Sequence, residues 1–503
     1  MRFSVALLLQ AVCLVSTTTA ISPKSTLFTD GTVIAFNKES QENEILYNTS
    51  VLVVGDTIVS ILPNGAQGTN ISSDTEIIPV TGMIISPGFI DTHRHTWQTI
   101  YRTLASNITL AEYFSRYSPF SEALGLFSPE DFYLSQMVGI FEALNAGVTS
   151  LLDHSHNLAS TEDAAVALDA YLDSGARVWF GYNFDPVGNF SISDRLAHFQ
   201  KLQRDPRLPG SAVEMGISCD SWGAMDEKDL CPLVNLVRTG NISVLTSHWL
   251  DGIWNVANSP SLFNELELLN QSFPIVLSHA TFLQQPEYEL LRKHNQYISI
   301  TPESEMHFGH TNQESDFVMD QSSLGVDTHA TYSGDIVTQA RLWLQSVRHR
   351  SFRRTLDEMK IPRTSPMSVN QAFHLATRGG AQALRREDLG IIAVGAKADI
   401  VAFEGNSTNM IGWKDPIAAV ILHSNVGDVK HVMVHGKMVK KNGLLTVDNL
   451  NGILSSFSLS AKRIQEQAVE LPYEVQGGYV MNPEAVPGYP ERLDAVRGDK
   501  TGY

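Results

Sequence analysis

Eight short apolar runs, each ending in polar or ionisable residues, constrain this chain more than any other feature. In order they are SPGFIDTH, GVTSLLDHSH, ARVWFGYNF, AVEMGISCD, ISVLTSHW, FPIVLSHA, QYISITPE and SSLGVDTH, with amphipathic stretches long enough for helices between them. Strands that alternate with helices pack as a parallel sheet covered on its outside, and eight such units close into an α/β (β/α)8 barrel. The same alternation also describes an open doubly wound sheet, so periodicity alone leaves both architectures standing. In a closed barrel the carboxyl ends of all the strands converge on one mouth, and the polar ends of these runs then share it.

On either side of this middle the texture changes. Short β-like runs broken by turns occupy Thr26 to Ile85 and return in DLGIIAVGAKADIVAFEG and VKHVMVHGKMVKKNGLL. Two β-rich pieces bracketing an α/β centre predict one discontinuous β-sandwich built from both chain ends. The partition that follows is a leader at 1–20, sandwich at 26–85 and 386–447, the α/β barrel at 86–385, and a helix with a Pro- and Gly-rich tail at 448–503. The tail shows no chemistry. A chain of 503 residues accommodates a large domain and a smaller one, and its hydrophobic content of 43% against 18% charged residues marks it as globular.

The net charge of -18 argues against nucleic acid or an anionic membrane as partner, because both need clustered cations. Arg348, His349, Arg350, Arg353 and Arg354 form the one basic run, and its helical setting reads as a solvated face. Residues 1–20 combine Arg2, an apolar stretch from Val5 to Val15, and Thr18 and Ala20 at a small-residue cleavage site, the pattern of a secretory signal peptide. That stretch is too short to cross about 30 Å of hydrocarbon and no later one is long enough, so no membrane span is expected and a secreted or lumenal location is. Seven N-x-S/T acceptors, at Asn48, Asn70, Asn107, Asn189, Asn241, Asn270 and Asn406, agree with passage through a glycosylating compartment. Cys13 leaves with the leader; Cys219 and Cys231 form one disulfide or remain two free thiols.

The chemistry is concentrated at the run ends. In PGFIDTHRH, side chains two apart on a strand share a face, so His93 and His95 point together at the barrel mouth, preorganised for one cation. Asp91 lies on that face one layer deeper, placed to orient an imidazole or to serve a second metal. His248 and His279 end the fifth and sixth runs, and Asp327 ends the eighth. A carboxylate beside a divalent ion stays ionised, so Asp327 can both bind the metal and accept a proton from water.

These residues resemble the amidohydrolase superfamily, in particular the branch with cytosine deaminase, triazine chlorohydrolase and methylthioadenosine deaminase. PGFIDTHRH resembles that family's first-strand signature, GVTSLLD its second strand, LGVDT its eighth-strand aspartate, and LGIIAVGAKADIVAF with VMVHGKMV its returning sandwich; the likeness spans roughly Thr26 to Leu445. It implies that His93, His95, His248 and Asp327 hold one divalent ion, zinc first and iron as the alternative. It also implies that Asp327 moves protons, that His279 stands near the oxygen of the substrate, and that Arg102 matches an arginine of the methylthioadenosine deaminases. The expected reaction is attack of metal-activated water on a non-peptide C–N bond of a small molecule, a secondary metabolite among the candidates. Where relatives carry H-x-x-E this chain reads His248-Trp249-Leu250-Asp251, which makes Asp251 the candidate shuttle, and the fourth run lacks the lysine of binuclear relatives.

Trp97, Gln98, His156 and Glu303 are further candidates for substrate contact, with His154, Glu305, His307 and His310 nearby in the same loops. A decarboxylase, an ester or amide hydrolase at the same site, and a non-catalytic binding protein of the same fold are the competing readings. A homo-oligomer is compatible with all of them.

Overall fold

The computed structural model describes residues 24–65, 71–310, 314–473 and 481–490. The expected leader, with Cys13, and the acceptor Asn70 lie outside the described residues. Eight parallel strands, β1 (Phe89–Arg94), β2 (Val148–Ser155), β3 (Arg177–Asn183), β4 (Val213–Ser218), β5 (Leu245–Leu250), β6 (Ile275–Thr281), β7 (Tyr297–Ile300) and β8 (Ser322–Leu324), follow one another around one sheet in chain order. The sequence runs and the strands coincide, and the pairing of β1 with the segment after β8 decides between barrel and open sheet in favour of the barrel. Their residues are buried on both faces, as expected of a parallel sheet wrapped in helices.

Closure is made just past the end of β8. The carbonyl of His93 accepts the amides of Val326 (3.0 Å) and Asp327 (2.8 Å), and Arg94 bridges Asp327 in parallel register. Gly325 permits that approach: a Cβ there would stand 2.8 Å from His93 Cβ and 2.9 Å from its carbonyl oxygen. Asp91 adds to the seam. Its carboxylate accepts Arg94 Nε at 2.6 Å and the Val326 amide at 3.2 Å, so this residue fastens β1 to the segment after β8.

The second domain draws on both chain ends, and the expected sandwich takes the form of one nine-stranded sheet. Segments Ser25–Asn37, Glu42–Val54, Thr57–Pro63, Glu76–Pro79 and Ile84–Pro87 pair with Ile400–Phe403, Val429–Val434, Lys437–Lys441 and Leu444–Leu445. Phe28, Val51, Ile58, Ile85, Ile392, Ile400 and Met433 form its buried core. Ile84–Pro87 runs directly into β1 through Gly88, where any Cβ would collide with the Thr149 side chain, so the PGF triplet is the hinge at which the chain enters the barrel.

The C-terminal helix Leu450–Ala468 lies over the helix Pro129–Asn145 and the turn Thr96–Tyr101. It is tied there by Arg463 to Asp131 (2.5 Å) and by Gln465 Nε2 to the Ile100 carbonyl (2.7 Å). The basic run sits on the helix Ile336–Asp357 and is spent locally, Arg348 on the Met367 carbonyl, Arg350 on Ser346 and Asp316, and Arg353 on Asp357. Cys219 is buried just past β4 and Cys231 is exposed on the helix Glu227–Thr239; both thiols are free. Among the described residues no helix is long and apolar enough to cross a membrane.

Candidate metal centre

His93, His95, His248 and Asp327 come from β1, β5 and the segment after β8, and their donor atoms lie within 4.8 Å of one another. Asp327 Oδ1 stands 3.3 Å from His93 Nε2 and 3.0 Å from His95 Nε2, and His95 Nε2 is 3.1 Å from His248 Nε2. The orientation of each ring is set from behind. His95 Nδ1 meets the His154 carbonyl at 2.8 Å, His248 Nδ1 meets Asp220 Oδ2 at 2.8 Å, and His93 Nδ1 meets Ser278 Oγ at 2.7 Å.

These partners decide where the protons are. A carbonyl and a carboxylate only accept, so the Nδ1 atoms of His95 and His248 carry hydrogens; burial pushes His248 down but Asp220 outweighs it and raises the ring, and in the neutral form that a metal requires both Nε2 atoms present lone pairs. Two lone pairs then face each other at 3.1 Å beside a carboxylate oxygen, while His93 Nε2, fully buried, makes no hydrogen bond. Such an arrangement needs positive charge at its centre. Imidazoles that share a tetrahedral divalent ion at about 2.0–2.1 Å stand about 3.3 Å apart, and a set of three imidazoles and one carboxylate suits an ion of intermediate hardness. The residues fit a divalent cation.

The electrostatics agree with ligand duty. Burial pushes the Asp327 carboxyl up, but the imidazoles of His93 and His95 outweigh it and hold the group well below the usual carboxylate range. Asp220 behaves alike, with burial opposed by His248 and His154. Burial holds His93 well below its ordinary value and His279 down at about 3, so both rings are neutral and have a lone pair to give. Asp327 and His279 also adopt left-handed backbone, with φ of 69° and 73°, a conformation uncommon for side chains other than glycine and concentrated at functional sites.

His279, at the end of β6, belongs to a second group with His310 and Asp327. Its Nδ1 meets Thr301 Oγ1 at 2.8 Å, and that hydroxyl lies 3.3 Å from Glu305 Oε1. A hydroxyl that donates to the carboxylate accepts from the ring, which places the His279 proton on Nδ1 and turns Nε2 to other partners.

The remaining sequence candidates divide. His156 lines the cleft and stacks on His95 with ring centroids 3.9 Å apart; His310 lines it too. Trp97 and Gln98 are buried behind the lining, donating to His156 Nδ1 (2.9 Å) and to the Tyr113 hydroxyl (2.6 Å), so they support the wall without facing the cleft. Arg102 points outward to Glu142 at 2.7 Å, and Glu303 is held by Gln339 at 3.0 Å; neither lines the cleft. His307 donates to the Ala105 carbonyl at 3.1 Å. The expectation for Asp251 is corrected. The chain turns back just past β5, with Leu250 paired to Val256, and the Asp251 carboxylate caps the turn Gly252–Trp254 by accepting the Gly252 amide at 2.8 Å.

Sequence reasoning missed Asp220 and Asp185. Asp220 takes both the backbone amide (2.7 Å) and Nδ1 of His248, so it fixes one ligand's position and tautomer together. It is the last residue of AVEMGISCD, two beyond the end of β4, and its place at a run end was the available signal. Asp185 accepts the amides of Asp220 and Ser221, both at 2.8 Å, and holds the loop that carries Asp220.

Comparison with known proteins places these features in a group. Residues 262–439 match the model of the amidohydrolase family. The chain is 24% identical over 433 residues to the 5-methylthioadenosine/S-adenosylhomocysteine deaminase of Pyrococcus horikoshii, covering 80% of this chain and 95% of that one. It is 26% identical to the 5'-deoxyadenosine deaminase of Methanobrevibacter smithii, covering 79% and 89%. Among solved structures, an adenosine deaminase from Xanthomonas campestris with bound zinc superposes with a TM-score of 0.74 at 18% identity, over 88% of this chain and 99% of that one. The atrazine chlorohydrolase of Arthrobacter aurescens complexed with zinc gives 0.72 at 17%, over 87% and 100%.

Proposed function

We propose that this chain, similar to the amidohydrolase family over residues 262–439 and to two curated deaminases over about four fifths of its length, is a hydrolase of carbon–nitrogen bonds other than peptide bonds that deaminates a small nitrogen heterocycle with one zinc ion held by His93, His95, His248 and Asp327. The observation that carries the reading is the convergence of the His95 and His248 lone pairs, fixed by their Nδ1 partners, on Asp327 and the bare Nε2 of His93. A divalent ion bound there supplies water with a pKa lowered from 15.7 to about 7, and so a nucleophile at neutral pH.

The protein's own groups handle the protons. Asp327 Oδ2 is anchored by Ser304 Oγ at 2.5 Å, which leaves Oδ1 directed at the cluster to take the proton of the attacking water. As the water oxygen bonds to the ring carbon, the electron pair of that carbon's double bond to the ring nitrogen moves onto the ring nitrogen, and its return breaks the carbon's bond to the amino nitrogen. Asp327 returns its proton to the nitrogen, which leaves as ammonia. With its proton fixed on Nδ1 by Thr301, the neutral His279 ring presents Nε2 as an acceptor that orients the attacking water and keeps its remaining O–H turned from the ring carbon. No proton task is assigned to Asp251.

Secretion and N-glycosylation belong to the same proposal. All six acceptor asparagines among the described residues, Asn48, Asn107, Asn189, Asn241, Asn270 and Asn406, are exposed. The deciding experiment strips metal from the purified protein, restores zinc or ferrous iron, and follows ammonia release from 5'-methylthioadenosine, 5'-deoxyadenosine, cytosine and an aminotriazine. Release that disappears with the metal and returns with zinc supports the reading. A protein that holds stoichiometric metal and frees no ammonia from any of the four sinks the deaminase assignment.

A further inference from the structure

Above the histidine floor the cleft changes character. The space between its walls, part of it open to solvent, is about 670 Å³. Its wall is Leu110, Tyr113 and Phe120 from the connection after β1, Leu250 at the end of β5, Phe308 after β7, and Met481 from the C-terminal segment. No lysine or arginine occurs among the described lining residues. Arginines carried by the same segments are engaged elsewhere, Arg102 by Glu142 and Arg116 over the rings of Tyr117 and Tyr473. The charged groups that do reach the lining are carboxylates: Asp185, Asp220 and Asp327. Those of Asp185 and Asp220 are turned into the protein, the first by Ser221 and Asn183, the second by His248.

A phosphate or carboxylate placed against this wall would lose its hydration and find no lysine or arginine among the described lining residues; the one cation of the proposed site lies below, at the histidine floor, already paired with Asp327. An alkyl or aryl group placed there removes apolar surface from water on both partners. We infer that the substrate carries an uncharged apolar substituent seated on this wall, that nucleotides and analogues with a carboxylate are rejected, and that Met481 of the C-terminal segment is a specificity-determining residue. The inference rests on the proposed deamination only for which bond is broken; what the wall accepts can be read by binding alone.

The C-terminal segment is held where the inference needs it. Asn255 Nδ2 donates to the Met481 carbonyl at 3.3 Å and Asn482 Nδ2 to the Ile253 carbonyl at 2.9 Å, which joins the chain end to the loop after β5 on the rim of the cleft. Met481 thus adds an apolar face to a wall that the barrel loops alone leave incomplete.

The test uses the zinc-loaded full chain and two probes with the same aminopurine head, 9-benzyladenine and 9-(carboxymethyl)adenine, in equilibrium dialysis. The benzyl compound is expected to bind at least about tenfold more tightly, the discrimination that an apolar pocket provides for a few carbons. Met481→Lys should shrink that ratio by about tenfold, and Met481→Ala should weaken only the benzyl compound by several-fold. Equal affinities, a preference for the carboxymethyl compound, no binding of the benzyl compound, or a ratio untouched by Met481→Lys would each overturn the inference. Ammonia release is measured on the same samples. Tight, selective binding of the benzyl compound without ammonia strikes the proposed reaction and leaves the wall as described, whereas ammonia from both probes at equal affinity does the reverse.

Discussion

The floor and the wall of this cleft are built by different rules. Every floor residue sits at or just past the end of a barrel strand, and the backbone there is held by the sheet itself: the carbonyl that accepts Val326 and Asp327 belongs to His93 of the cluster. The wall is assembled from the connections after β1 and β7 and from the chain's far end, joined at the rim by a few side-chain hydrogen bonds such as those of Asn255 and Asn482. A floor residue can move only if a strand moves, while a wall residue can be exchanged or displaced locally. Chemistry is therefore preorganised by the fold, and the choice of substrate is left to segments that can vary without disturbing it.

The sharpest way to break this comparison is at the floor. His95→Ala removes an imidazole that faces both His248 and Asp327 and leaves their charges uncompensated; the variant is expected to retain no stoichiometric metal and no measurable turnover while remaining folded. Elemental analysis alongside circular dichroism checks it, and full metal content would end the assignment of this cluster as the metal centre. Asp220→Asn is the next largest. An amide keeps the shape but cannot hold the His248 Nδ1 proton with a negative charge, so metal affinity should fall by about 10–100-fold, as for other partners that orient a ligand histidine. A chelator competition titration reads this directly. An unchanged affinity would mean that the strand end alone positions His248.

What could be read from the sequence follows the same division. His93, His95, His248, His279 and Asp327 were legible because each ends an apolar run, and a barrel brings run ends together whatever the intervening loops do. Asp220 also ends an apolar run, but its role is to hold His248, a residue of the next strand, and that pairing has no signature in the sequence of the fourth run. Asp251 was misplaced for the opposite reason: the motif puts a carboxylate three residues after His248, but the chain bends back at Leu250 and spends the carboxylate on the next amide. Arg102 and Glu303 failed because loop residues carry no periodicity from which a direction can be derived, and their partners, Glu142 and Gln339, are distant in sequence. Met481 could not be foreseen at all, since only the packed tail brings it to the cleft. The sandwich was visible in outline from its β-like texture at both ends, whereas its order of strands needed the coordinates.

A smaller effect sharpens the boundary of the floor. Asp251→Ala should change kcat/KM by no more than about twofold and cost about 1 kcal/mol of stability through the lost cap. A hundredfold loss of turnover with unchanged metal content would show that the carboxylate swings into the cleft, and the floor would then extend beyond the strand ends.

The smallest expected effect lies just outside the floor, at Glu303 on the short helix Pro302–His307 after β7. Burial raises its carboxyl to about 6 from an ordinary 4.5, the hydrogen bond from Gln339 opposing the rise and Asp335 adding to it. Because the folded value lies above the unfolded one, the folded state binds more protons between about pH 4.5 and 6. The stability tied to this group is therefore present below that window, falls as pH rises through it, and is flat above. A shift of this size on a group still partly open to solvent amounts to about 1 kcal/mol after screening. Glu303→Gln removes the titration and keeps the contact with Gln339, so between pH 4.5 and 7 the variant should lose less stability than the parent by that amount. Denaturant unfolding at the two pH values measures it. Parallel pH slopes for parent and variant would mean that water reaches Glu303 freely, and that the dry surroundings stop at the strand ends themselves.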